Sequence, residues 1–130
     1  MDDLQKLSEA EIINRLLSSE IPQKTVTLQR LGIPVTLKGL TGKEVFAHQE
    51  KCTRKGKDGA TLDEEAFKVG LIAAATVSPD WGNKALLEKY NASGKEEVIK
   101  RLLLAGELSS LGEIVMELSG FEEDLVEVKN

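Results

Sequence analysis

At 130 residues the chain is the size of one domain, long enough to bury a single core without disulfide or metal staples. Hydrophobic residues make up 41% and charged residues 30%, a soluble globular mix, but aromatics reach only 4%, so the core must be mostly Leu, Ile, Val and Ala. With 17 basic and 22 acidic side chains the net charge is −5, which argues against a nucleic-acid surface, and the longest apolar run, Leu71–Ala75, is far too short to span a membrane.

The first predicted element is a helix from Glu9 to Ser18, opened by the capping box Ser8…Glu11, in which the hydroxyl and the carboxylate satisfy each other's backbone N–H. Leu7 and Ile12 are placed as its hydrophobic staple. Ile12, Ile13, Leu16 and Leu17 give it an apolar stripe, and Pro22 disfavours helix at Ile21. The stripe can dock on its own domain, bind a partner or self-associate, and the sequence does not decide among these.

Thr25–Lys38 alternates polar and apolar residues and predicts a β-hairpin. A two-residue turn at Leu31-Gly32 would pair Leu28 with Val35 and Val26 with Leu37, all four on one face, with Gly32 supplying a positive φ. Pro34 cannot donate to a ladder, so its N side should face solvent or a bulge. The capping box Thr41…Glu44, with the staple Leu40–Val45, starts a second helix over about Gly42–Arg54. Lys55–Gly59 then reads as a flexible, turn-rich loop.

A third helix is expected over about Leu62–Val77, started by Thr61…Glu64, with Phe67, Gly70, Leu71, Ala74 and Val77 on one face and Ser78-Pro79 ending it. Short helices follow near Lys84–Tyr90 and Gly94–Leu103, the latter with the box Ser93…Glu96 and with Val98, Ile99, Leu102 and Leu103 inward. The last helix steps along Leu104, Leu108, Leu111, Val115 and Leu118, with Gly106 expected to break the segment. Gly120 stands where a left-handed cap belongs, and Phe121 would fold back on Met116 or Val115 as in a Schellman motif. The acidic stretch after Phe121, which holds Leu125, is expected to be loose.

No constellation for catalysis or metal binding emerges. Cys52 is the single cysteine, so no internal disulfide can form and a reducing compartment is expected. His48 is the single histidine, four residues before Cys52, but no further soft ligand is at hand for a metal. The glycines form no phosphate cradle. Lys51, Arg54, Lys55 and Lys57 read as a solvated helix end, and the acidic runs at 63–65, 96–97 and 122–124 as helix starts or tail. Trp81 is expected to anchor its loop in the core. Met1-Asp2-Asp3 has no apolar stretch behind it, so no secretory signal is expected.

The chain resembles a known family through an ordered set of segments. These are the N-terminal helix, Val26–Lys38, Leu40-Thr-Gly-Lys-Glu44, Ala73-Ala-Ala-Thr-Val-Ser-Pro-Asp80, Leu102-Leu-Leu-Ala-Gly-Glu107 and Leu118-Ser-Gly-Phe121. They resemble the tail assembly chaperones of long-tailed phages, of the type found in phage-like prophage elements of Gram-positive bacteria. The likeness covers about Ile21–Phe121. Ala105 departs from it, standing where Pro is expected.

The resemblance implies a non-enzymatic, cofactor-free protein that binds the tape measure protein and keeps it soluble in the host cytoplasm. It would be absent from the mature virion. Many such proteins also occur in a frameshifted longer form. Other tail proteins and a second copy of the chain are further candidate partners, whereas nucleic acid and membrane are not. The alternative function is a small acidic regulatory or adaptor protein.

The expected architecture is α+β: a mostly helical single domain with one N-terminal β-hairpin packed on a helical body. Residues 1–20 are assigned to the amphipathic helix, 21–121 to the domain and 122–130 to the tail. Candidate contact residues are Ile12, Ile13, Leu16, Leu17, Phe121 and Leu125. Candidate structural residues are Gly32, Thr41, Glu44, Gly106, Glu107 and Gly120.

Overall fold

The structure is a computed structural model that describes residues 6–121 and 125–128. Among these residues there are six helices and five strands, an α+β arrangement. In chain order they are α1 (Glu9–Leu17), β1 (Gln23–Leu28), β2 (Ile33–Lys38), α2 (Gly42–Lys51), β3 (Thr53–Gly56), β4 (Gly59–Leu62), α3 (Glu64–Ala75), β5 (Thr76–Ser78), α4 (Lys84–Tyr90), α5 (Lys95–Leu102) and α6 (Ala105–Leu118).

Helix α3 is the centre. Val69, Gly70, Leu71, Ile72, Ala73 and Ala75 are all buried, so the helix has no single inward face. It packs against α2, α5, α6 and β2. This corrects the one-sided pattern expected from Phe67, Ala74 and Val77: the first two are half-buried, and Val77 lies exposed in β5. From Val69 to Ala75 the helix is enclosed on nearly every side and is apolar throughout, so periodicity does not reveal which side faces what. The rest of the core comes from Val35 and Leu37 of β2, Val98 and Ile99 of α5, and Leu111 and Val115 of α6. Trp81 is buried as expected, and its indole N–H donates to Thr76 Oγ1 at 3.1 Å.

The sheet order is β1-β2-β5, with both pairs antiparallel. The hairpin register differs from the expected one by two residues: Leu28 pairs with Ile33, Val26 with Val35 and Lys24 with Leu37. The loop is therefore the four residues Gln29–Gly32, not Leu31-Gly32 alone. A shift of two keeps every side chain on its face, so Leu28, Val35 and Leu37 are still buried together. Gly32 does hold a positive φ of 65°. Pro34 sits opposite Thr27, beyond the stretch of β2 that pairs with β5, so its missing N–H costs no bond there.

The loop expected at 55–59 is instead the tip of a second hairpin. Helix α2 ends at Lys51, and β3 pairs with β4 from Thr53↔Leu62 to Gly56↔Gly59. Its strands are almost wholly exposed, so they lack the buried alternation by which strands are recognised.

Two of the four expected capping boxes form, at Ser8…Glu11 and Thr41…Glu44. Thr61 is a strand residue, and Asp63 caps α3 by accepting from the Ala66 N–H. Gly94 stands at the start of α5, where no side chain caps the helix. Gly106 does not break the chain but lies in the first turn of α6.

The start of α6 is fixed by a carboxylate. Glu107 Oε1 accepts from the Leu104 N–H at 2.8 Å, and Arg30 clamps the same carboxylate through Nη2 at 2.7 Å and Nε at 3.1 Å. Arg30 also donates to the Leu102 carbonyl, tying the first hairpin to the α5–α6 joint. The helix ends as expected. Gly120 has φ 90°, its N–H donates to the Glu117 carbonyl, and the Phe121 N–H donates to the Met116 carbonyl, the bond pair of a Schellman motif.

Candidate interaction surfaces

Among the described residues, three uncovered surfaces group several apolar side chains each, apart from single exposed residues such as Phe46. The first is α1. None of its residues is buried, and Leu16 and Leu17 are 65% and 79% exposed, with Ile12 and Ile13 near 40%. Its capping box holds Glu11 below the usual carboxylate range, first through the Ser8 N–H and then through the Ser8 hydroxyl. Nine residues are too few for a stable isolated helix in water, and the local bonds holding this one are those of its cap and its own turn.

The second surface is a groove of about 860 Å3 between α3 and α6. Phe67 and Leu71 of α3 and Leu108 and Met116 of α6 line it, with Phe121 also on its wall. Ala105, Ser109 and Gly112 of α6 make its small-residue side, where the Lys68 stem lies across Gly112. Glu64, Glu65 and Glu113 also line it.

The third is the end of α6. Phe121 is 57% exposed, so its expected fold-back on the last helix leaves more than half of the residue uncovered. Leu125 lies over Gly120 but is itself exposed, as are Val126 and Val128. The acidic residues Glu122–Asp124, read above as tail, lie outside the described residues.

The contact candidates therefore do not form one site. Phe121 and Leu125 are together at the end of α6, while Ile12, Ile13, Leu16 and Leu17 stand on a helix of their own. Sequence reasoning missed the groove. Its signal was the spacing Ala105-Ser109-Gly112-Met116, a second stripe beside the Leu108-Leu111-Val115 seam.

Other candidate residues have structural places. The His48 ring lies against Gly70, where an added Cβ would come within 3.1 Å of Nδ1, so the absence of a side chain there lets α2 sit close on α3. Cys52 is buried and free. Among the described residues no three His, Cys, Asp or Glu side chains are grouped to hold a metal ion, and no helix is long and apolar enough to cross a membrane. Arg54 pairs with Asp63 at 3.1 Å across the second hairpin, and Lys51, Lys55 and Lys57 are exposed around it.

The fold is shared with the crystal structure of the protein yqbn, a structural genomics target. That chain matches at a TM-score of 0.67 and 20% identity, over 90% of this chain and all of that one. No curated protein matches. The profile of the phage XkdN-like tail assembly chaperone proteins matches residues 13–130. The chain belongs to that family of phage tail assembly chaperones.

Proposed function

We propose that the protein is a non-enzymatic chaperone that binds the tape measure protein and keeps that long helical chain soluble during tail assembly. It would act in the host cytoplasm and be absent from the finished particle. Membership of the chaperone family supports this reading. The observation that carries it is the unburied stripe of α1, on an otherwise acidic body.

The energetics favour reversible, repeated contact. Burying the exposed parts of Ile12, Ile13, Leu16 and Leu17 is worth roughly 3–7 kcal/mol, against an association cost of about 4–15 kcal/mol. One stripe therefore holds a client weakly, and several copies along one client add avidity.

The test is co-expression of the tape measure protein with this chain or with its Ile13→Asp/Leu17→Asp variant. The wild type should keep the client soluble and co-purify with it. Insoluble client and no co-purification would refute the function. Equal performance by the variant would refute only α1 as the surface.

A further inference from the structure

We propose that the α3/α6 groove is the seat for one helix of the client, and that this helix is cationic, with Lys or Arg flanking its apolar stripe. The inference rests on the chaperone reading and adds to it a second contact surface and a charge rule. The groove-lining positions of α6 run from Ala105 to Met116, a span of about 16 Å at 1.5 Å per residue. That is three helical turns, enough for client side chains at i, i+4 and i+7. Small residues at 105, 109 and 112 permit a close backbone approach, while Met116 and Phe121 supply adaptable apolar contact. The Lys68 stem over Gly112 is exposed and free to swing aside.

Charge selects the occupant. Glu64, Glu65 and Glu113 line the groove against one Lys68, leaving an acidic excess. Among the described residues Glu64 and Glu113 form no ion pair, and Glu65 meets Lys100 only at 3.6 Å on the surface. A cationic flank would find these carboxylates available, whereas an acidic helix would meet repulsion. The chain's own α1 is a poor match, because Glu9 and Glu11 outweigh Arg15 on it.

The experiment uses the full chain and two labelled 18-residue amphipathic peptides that share one Leu stripe, flanked by Lys in one and by Glu in the other. Fluorescence anisotropy should show the Lys peptide binding at least tenfold more tightly, with the difference shrinking as salt rises. Ser109→Arg replaces an exposed groove residue and should weaken the Lys peptide at least tenfold. Glu113→Lys should erode the preference for Lys, which keeps the test decisive if Ser109→Arg fails to fold. Equal binding of the two peptides, tighter binding of the Glu peptide or of a peptide spanning residues 6–20, or full binding by both variants would overturn the proposal.

The chaperone reading is judged separately. If Ser109→Arg, folded, co-purifies with the tape measure protein as well as wild type does, the groove is wrong and the chaperone stands. If wild type fails to retain the client while the peptides bind as expected, the reverse holds.

Discussion

Replacing Gly39 by Ala should be among the most damaging small changes in this chain. Gly39 follows β2, at the point where the chain meets the end of α6. A methyl built on it would overlap the carbonyl oxygen of Leu118 and stand 3.0 Å from the carbonyl carbon. Both are backbone atoms of a helix terminus, so no rotamer change relieves the clash. The same junction carries the Gly39 N–H to Pro22 carbonyl bond at 2.9 Å and the Leu40 N–H to Ser119 Oγ bond at 2.9 Å. Overpacking costs about 1–3 kcal/mol, and a hydrogen bond pulled open adds about 1 kcal/mol. The expected loss is therefore about 2–4 kcal/mol, or a fall in Tm of roughly 6–15 °C for a chain of this length. Thermal melts followed by circular dichroism measure it. Gly106→Ala is the matched control: nothing lies within 4 Å of its added methyl, so it should raise stability by about 0.5–1 kcal/mol. A Gly39→Ala protein melting within 2 °C of wild type would refute the reasoning.

Ala105→Pro should stabilise by about 0.4–1 kcal/mol, read as a higher urea midpoint. Ala105 is the first residue of α6, and Leu104 before it already holds the extended backbone that proline requires, with ψ 158°. Phe121→Ala should cost only about 1 kcal/mol in chemical denaturation, because the ring is 57% exposed; a loss of 3 kcal/mol would mean that the ring is buried in solution. Acid should destabilise the fold. Glu107 is held low by Arg30 and then the Leu104 N–H, Asp63 by the Ala66 N–H and then Arg54, and Glu44 chiefly by the Thr41 N–H. These groups bind protons more readily in the unfolded chain. Their contribution is thus complete above the ordinary carboxylate range, about pH 4, and is lost as pH falls through the lower folded values. Melting points measured from pH 7 to pH 3 should fall mainly below about pH 4.5, and Glu107→Gln should make that fall shallower.

The parts of the fold legible in the sequence are those set by local chemistry. Ser8 with Glu11, and Thr41 with Glu44, start their helices where the capping pattern puts them, and Gly120-Phe121 ends α6 as a Schellman pair. The same pattern failed at Thr61, because pairing with Arg54 in a hairpin claimed that residue for a strand. It failed at Ser93, because Gly94 took the first position instead. The hairpin face was legible while its register was not. A two-residue shift changes no side chain's face, so hydrophobic pattern alone cannot distinguish two turns that differ by two residues. Gly106 and Gly39 make the point about glycine. The first drew notice because it interrupts a leucine seam, yet open space surrounds it. The second lies in an ordinary connection, and its requirement comes from Leu118, far along the chain.

The same distinction between local and distant causes explains the surfaces. The α1 stripe could be read because its residues follow one another in a single helix, and they stand exposed on it. The groove could not, because its walls are α3 and α6, brought together by a core that neither sequence segment describes alone. Its small side, at 105, 109 and 112, reads in isolation only as a good helix. Its acids Glu64 and Glu65 read only as a helix start. Placed across from Phe67 and Leu71, the same residues become a trough with a sign of charge. For a protein proposed to hold a client and then release it, the two surfaces divide the work. The stripe offers apolar area too small to bind irreversibly, and the groove's acidic excess discriminates among helices by charge, a term that salt weakens. Raising salt should therefore weaken client capture through the groove while leaving the stripe's contribution in place.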